Sequence, residues 1–185
     1  MGVTTLILPG LQSSGPEHWQ SYWERHDPTC QRVEQAEWDA PRCADWVSRL
    51  DTVVTGTAGD VVLVGHSSAC AMVAHWAAAA LPDTVRRVRG ALLVAPSDPE
   101  GANFPQGPSG FAPMPMSLLP FRSTVVASEN DAYVSLEQAQ SYAGAWGSDF
   151  VNAGTAGHLN SASGLGDWPS GRALLERLRE IVRVS

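Results

Sequence analysis

The sequence contains no lysine, so arginine supplies all 12 of its basic side chains, against 19 acidic ones. The net charge is −7 at pH 7 and no basic stripe is present, which argues against nucleic-acid binding. No apolar run approaches the roughly 18 residues that a membrane-spanning helix needs. Residues 1–10 lack the pattern of a secretory signal peptide or of a myristoylation site. We therefore expect a cytoplasmic protein with no membrane partner.

Cysteine is also scarce. Cys30, Cys43 and Cys70 are odd in number and far apart, which is typical of free thiols rather than of a disulfide framework. Neither the cysteines nor the histidines occur in pairs with metal-ligand spacing. The sequence therefore predicts no metal site and indicates no cofactor.

The composition and the order of patterns predict one domain over residues 1–185. Of these residues 44% are hydrophobic and 17% are charged, which suits a globular domain with its own core. Apolar strand patterns alternate with helical patterns. We predict strands at 4–8, 31–36, 60–65, 90–95, 123–128 and 149–153, and helices at 15–26, 39–50, 67–81, 135–146 and 170–182. This alternation predicts an α/β fold with a mostly parallel sheet of about six strands and helices on both faces.

One long segment, residues 97–120, has no regular pattern and is rich in proline and glycine. It far exceeds the usual length of a loop. Two interpretations are equally open. The segment is either a meandering surface loop or the wall of a pocket, lined by Phe104, Phe111, Met114 and Met116.

A nucleophilic serine is predicted at position 67. The pentapeptide Gly65-His66-Ser67-Ser68-Ala69 matches the G-x-S-x-G turn of serine hydrolases, with alanine in the last place. It joins a buried strand pattern to an alanine-rich helix, where small residues allow the strand and helix to approach closely. The alternative is a serine that merely caps the helix. Ser68 is the neighbouring alternative nucleophile, but it stands at the wrong position in the turn.

Candidate partners for Ser67 follow two later strands. In this architecture the order along the chain is Ser, Asp, His, which selects Asp131 and His158. Both residues follow strand ends, on the same rim of the sheet as Ser67. Asp98 follows another strand and could approach the same histidine. Asp167 is a weaker competitor, better explained as a cap near the final helix.

The remaining histidines and the cysteine near Ser67 are given structural interpretations. His18, His26 and His75 lie in predicted helices and are interpreted as packing or surface residues. His66 is expected to pack beneath the turn, and Cys70 to be buried against the sheet.

The oxyanion of a tetrahedral intermediate needs two hydrogen-bond donors. The backbone N–H of Ser68, at the start of the helix, is the first candidate. The second is the N–H of Leu11, in the loop after the first strand, where Gly10 permits a tight turn.

Four aromatic residues are predicted to wall a small apolar cleft around the serine, because all emerge near strand carboxyl ends. For both tryptophans, ordinary packing in the core is an equally weighted alternative. The predicted pocket residues are Trp19, Phe104, Phe111 and Trp168.

Several stretches together resemble the YdeN-like serine hydrolases, the group that includes retinoblastoma-binding protein nine. The resemblance covers nearly the whole chain and rests on LPGLQSSGPEHWQSYWE, QAEWDAPRCADWVSRL, VVLVGHSSAC, LLVAPSD, VVASENDAYVS and AWGSDFVNAGTAGHLNSASGLGDWPSG. It implies a compact α/β-hydrolase fold whose sheet begins at the oxyanion-loop strand. It also implies a catalytic triad on Ser67, Asp131 and His158. Ala69 stands where many members of the family have glycine.

Three functions are compatible with these residues. The first is an esterase that cleaves small acyl esters through an acyl-serine intermediate, with a small-molecule acyl substrate. The second is a peptidase or amidase with the same triad. The third is a protein-binding module on a hydrolase scaffold, although nothing in the sequence indicates a protein partner.

Overall fold

A six-stranded parallel sheet forms the centre of the protein. The computed structural model describes residues 2–183, with side chains as far as residue 180. The strands are β1 (Thr4–Leu8), β2 (Cys30–Arg32), β3 (Val61–His66), β4 (Val88–Val94), β5 (Arg122–Ala127) and β6 (Asp149–Asn152). They lie in the order β2-β1-β3-β4-β5-β6, and every neighbouring pair is parallel. The predicted α/β fold with about six mostly parallel strands is confirmed.

Helices cover both faces of this sheet. They are α1 (Trp19–His26), α2 (Cys43–Gly56), α3 (Ser68–Ala79), the short α4 (Pro82–Val85), α5 (Leu136–Trp146) and α6 (Pro169–Arg183), with a 3₁₀ turn at Ser161–Ser163. Within residues 2–183 we find no helix that combines the length and the apolar character needed to cross a membrane.

The alternation of side chains along each strand divides the core in two. In β3, Val61 and Leu63 pack towards α2, α3 and α5, whereas Val62 and Val64 pack towards α1 and α6. All four valine and leucine side chains are fully buried. Burial on both faces explains why the sequence of this strand is continuously apolar rather than alternating.

Two helices begin later than predicted, because other contacts compete for their first residues. Helix α1 is capped by His18, whose Nδ1 accepts from the N–H of Gln20, whereas Ser14, directly before the predicted helix, donates to the Gln20 side chain. Helix α2 begins at Cys43 rather than Asp39 because Arg42 is extended and forms a β-bridge with Ser109.

The irregular segment 97–120 folds back over α2, α3 and α5. Phe111 and Met114 are buried in the core of that layer, and the carbonyl of Phe111 accepts from the His75 ring. The Trp146 indole donates to the carbonyl of Pro115. Met116, in contrast, is half exposed. Most of the segment therefore covers the helical layer and does not stand beside the carboxyl edge of the sheet.

Three tryptophans form a cluster on the opposite face, which we call the tryptophan cluster: Trp19, Trp23 and Trp168. The ring centroids of Trp19 lie 4.6 Å from Trp23 and 4.9 Å from Trp168. Trp19 donates its indole N–H to the carbonyl of Leu159 at 2.8 Å, and Trp23 donates to the carbonyl of Asp167 at 2.7 Å. The cluster therefore anchors the loop that follows β6 at its middle and near its end.

Candidate active site

Ser67 occupies a strained turn between β3 and α3. Its backbone has φ 58° and ψ −125°, a combination that residues other than glycine rarely adopt. The N–H of Ser67 donates to the carbonyl of Val94 at 2.9 Å, which ties the turn to the neighbouring strand. Such a turn projects the serine side chain above the carboxyl edge of the sheet, where parallel folds bind their ligands.

The loop after β1 approaches this turn so closely that only glycine fits. A Cβ atom on Gly10 would lie 2.8 Å from the Cβ of Ser67 and 2.9 Å from the carbonyl oxygen of His66. At the other end of the turn, Ala69 is fully buried, and a Cβ on Gly65 would lie 3.6 Å from its backbone, in ordinary contact. Alanine therefore meets the spatial requirement that glycine meets in the usual form of the motif.

The structure brings Ser67, His158 and Asp131 into one hydrogen-bonded line. The Nε2 of His158 lies 2.9 Å from the Ser67 Oγ, and its Nδ1 lies 2.8 and 2.9 Å from the two carboxylate oxygens of Asp131. The Asp131 side chain is fully buried, and that of His158 is 11% exposed. A carboxylate beside Nδ1 holds the imidazole proton on that atom, so Nε2 faces the serine as a proton acceptor.

Two side chains outside the predicted set join the loops that carry Asp131 and His158. The Oγ of Ser128 accepts from the N–H of Ala156 at 2.9 Å, and the Oδ1 of Asn130 accepts from the N–H of Gly157 at 2.8 Å. Polar residues directly after β5 were the sequence signal for these contacts.

The competing carboxylates bind elsewhere. Asp98 accepts from the phenol of Tyr142 at 2.9 Å and from the N–H of Glu100. Asp167 forms an ion pair with Arg172 beside the start of α6. Asp131 is thus the acid that contacts the histidine.

Two further histidines lie in the site, and burial keeps both neutral. The Nε2 of His66 donates to the carbonyl of His158 at 2.9 Å. Burial lowers the pKa of His66 well below its usual value, and the nearby His18 and His158 act in the same direction. Burial also lowers the pKa of His18 to about 3, helped by the charges of Arg32 and His158. His18 was expected to be an ordinary packing or surface residue, but it lies in the wall of the site.

The predicted oxyanion donors, Leu11 and Ser68, flank Ser67. Both residues line the cavity above it. Ser68 is the first residue of α3, where a backbone N–H has no carbonyl one turn earlier in the helix to bind. The Ser68 hydroxyl is buried with no hydrogen-bond partner among the described residues.

The cavity has a volume of about 470 Å³ and is lined by the loops that follow the strand ends. Its wall presents polar and apolar surface in about equal parts. The uncharged polar side chains other than Ser67 and the histidines are Gln12, Ser13, Ser68, Ser97, Tyr133, Asn160 and Ser161. Asp39 is the acidic residue of the lining.

The prediction that four aromatic residues wall this cavity is not supported by their positions. Trp19 and Trp168 belong to the buried tryptophan cluster. Phe111 is 1% exposed in the layer of α2, α3 and α5, and Phe104 packs against the same layer. Large apolar side chains are most stable when fully buried, and the irregular segment carries both phenylalanines away from the sheet edge.

The described residues include no group of three or more His, Cys, Asp or Glu side chains arranged to hold a metal ion. The three cysteines are free and buried. Burial raises the pKa of the Cys70 thiol, one helical turn beyond Ser67, so this residue stays protonated at neutral pH.

Comparison with known proteins identifies the family. The model of a family described as serine hydrolase matches residues 5–177. The chain belongs to the serine hydrolase family. A solved structure of a YdeN-like protein from Pectobacterium atrosepticum is 33% identical, with a TM-score of 0.84 over 97% of this chain and 92% of that one.

More distant structures share the fold. The ydeN gene product of Bacillus subtilis is 18% identical, with a TM-score of 0.73 over 96% of this chain and 98% of its own. A protein of the α/β hydrolase superfamily from Xanthomonas campestris is 17% identical, with a TM-score of 0.62 over all of both chains. No curated protein matches the sequence. The serine hydrolase is therefore a YdeN-like member of the α/β-hydrolase superfamily.

The buried neutral histidines predict a loss of stability in acid. In the unfolded chain His18 binds a proton below about pH 6.5, but in the folded protein only near pH 3. Between these values the unfolded state holds more protons, so the free energy of unfolding falls as the pH falls, by about 1.4 kcal/mol per pH unit for each such histidine. Urea unfolding from pH 7 to pH 4 measures this slope.

His18→Asn is the matched variant, because asparagine retains an acceptor for the start of α1 but does not titrate. We expect the free energy of unfolding of this variant to depend on pH less steeply than that of the wild type, by about 1.4 kcal/mol per pH unit. Equal slopes for the variant and the wild type would show that His18 is not held neutral.

Proposed function

We propose that this serine hydrolase cleaves small acyl esters through an acyl-serine intermediate on Ser67. The observation that carries the proposal is the continuous line from Ser67 through His158 to the buried Asp131, with donor–acceptor distances of 2.9 Å and 2.8 Å. This is the arrangement that nucleophilic catalysis by a serine requires.

In the first half-reaction the Ser67 oxygen attacks the ester carbonyl while its proton moves to Nε2 of His158. The carbonyl electron pair moves onto the oxygen, and the N–H groups of Leu11 and Ser68 stabilise the resulting oxyanion. When the intermediate collapses, the bond to the leaving alcohol breaks and the alcohol takes the proton from His158. Ser67 is then acylated.

In the second half-reaction water takes the place of the alcohol. His158 removes a proton from the water as it attacks the acyl carbon, and then returns this proton to the Ser67 oxygen as the acid departs. Asp131 stays ionised throughout and stabilises the imidazolium formed in each step. His66 keeps His158 in position by donating a hydrogen bond to the His158 carbonyl.

The cavity supports a small substrate. Its volume of about 470 Å³ is at the lower end of the range for ligand pockets. A cavity of this size favours short acyl groups over lipid-like ones.

The first test is labelling by a fluorophosphonate probe. Ser67→Ala should abolish labelling and lower ester hydrolysis by about four orders of magnitude or more, because the nucleophile is lost. Thermal unfolding should change little. Ser141→Ala, on the exposed side of α5, is the control and should label like the wild type. Activity in Ser67→Ala above about a tenth of the wild type would assign the nucleophile to Ser68 or Cys70.

The second test separates the two candidate acids. Asp131→Asn should lower kcat by about 10⁴-fold, because an amide favours the wrong imidazole tautomer. Asp98→Asn should have a mild effect, since its amide oxygen can still accept from Tyr142. Steady-state kinetics on one activated ester measures both variants, and the reverse ranking would refute the assignment of Asp131.

The third test varies the acyl chain. The kcat/KM for nitrophenyl esters should peak between acetyl and butyryl, because each methylene group that fits adds up to about 1–3 kcal/mol until the wall is reached. The matching anilides should react more slowly, which separates an esterase from an amidase. A rate that keeps rising beyond octanoyl would rule out the small-acyl proposal.

A further inference from the structure

A second buried hydroxyl group lies against the proposed nucleophile. The Oγ of Ser97 is 2.7 Å from the Oγ of Ser67, and Ser97 is 3% exposed. It lies in the wall of the cavity, three residues before the exposed Glu100. The mechanism described so far gives this hydroxyl no role.

The backbone around Ser97 is firmly held. Ala95, directly after β4, has a φ of 49°, and its N–H donates to the carbonyl of Val126 at 2.8 Å. On the other side, the N–H of Asp98 donates to the carbonyl of Tyr133 at 3.0 Å. These two hydrogen bonds, on either side of Ser97, fix the position of its side chain beside Ser67.

The number of protons determines which serine donates. The buried carboxylate of Asp131 holds the His158 proton on Nδ1, so Nε2 offers only a lone pair. The single proton of Ser67 must therefore point to Nε2. Because it cannot also point to Ser97, the hydroxyl of Ser97 is the donor in the bond between the two serines.

We propose that Ser97 is a catalytic residue whose O–H stabilises negative charge on the Ser67 oxygen. The inference rests on the proposed acyl-serine mechanism and extends it. As the Ser67 proton moves to His158, charge develops on Oγ, and a hydrogen bond to a charged acceptor is stronger than one to a neutral hydroxyl. The Ser97 proton stays on Ser97 in every step.

The four directions around the Ser67 oxygen are then all assigned. One is the bond to Cβ, one faces His158, one accepts from Ser97 and one remains to attack the substrate carbon. In deacylation the same oxygen leaves the acyl carbon, receives a proton from His158 and again accepts from Ser97. Ser97 therefore acts in both half-reactions, because the Ser67 oxygen is a reacting atom in each.

Burst kinetics with a nitrophenyl ester tests the proposal, because the burst reports acylation and the steady state reports deacylation. Ser97→Ala should slow both by roughly ten- to a hundredfold, as expected for the loss of one charge-assisted hydrogen bond, with the substrate dissociation constant unchanged. Ser97→Thr retains the hydroxyl and should recover most of both rates.

Ser123→Ala is the matched control. Ser123 is also buried, and its Oγ lies 2.6 Å from the Oγ of Ser148, but this pair is at the start of β5, away from the cavity. Removal of the Ser123 hydroxyl should lower the thermal stability about as much as Ser97→Ala does. It should leave the acylation and deacylation rates at the wild-type level. Equal rate losses in Ser97→Ala and Ser123→Ala would reduce Ser97 to a structural role.

The remaining outcomes separate this inference from the proposed function. Wild-type rates in Ser97→Ala, or a loss confined to acylation, would overturn the role of Ser97 while the acyl-serine mechanism stands. Fluorophosphonate labelling that survives in Ser67→Ala would refute the acyl-serine mechanism itself, whatever Ser97 does.

Discussion

The close approach of the β1 loop to the turn at Ser67 is the constraint on which the rest of the site depends. Gly10 lies where any Cβ atom would collide with Ser67 and His66, and Ser67 itself holds a backbone conformation that costs about 1–3 kcal/mol. This crowding raises the Ser67 side chain above the sheet. It also brings Leu11 and Ser68, the first residue of α3, to the wall of the same cavity.

His158 reaches the Ser67 Oγ because packing outside the cavity holds the loop that carries this histidine. The tryptophan cluster anchors the loop at Leu159 and Asp167, and Ser128 and Asn130 tie it to the loop that carries Asp131. Gly171 belongs to the same support, since a Cβ there would lie 2.1 Å from the Trp168 ring. The tryptophans thus contribute to the site through positioning, although none of the three lines the cavity.

The sheet and the triad positions could be predicted because both follow from regular patterns. Parallel strands end at one edge, so Asp131 and His158, each after a strand, had to lie on the rim near Ser67. The cavity wall could not be predicted in this way. The path of segment 97–120 depends on a β-bridge from Ser109 to Arg42 and on the burial of Phe111. Neither can be recognised from the residues next to them in the sequence. Likewise, only the fold shows that His18 caps α1 and reaches the site.

A crystal structure of the wild-type protein inactivated by a small phosphonate tests the central claim most directly. The account predicts a covalent bond from phosphorus to the Ser67 Oγ and a phosphoryl oxygen within about 3 Å of the backbone nitrogens of Leu11 and Ser68. The His158 ring should remain bonded to Asp131. An adduct on another residue, or a phosphoryl oxygen directed away from both nitrogens, would contradict it.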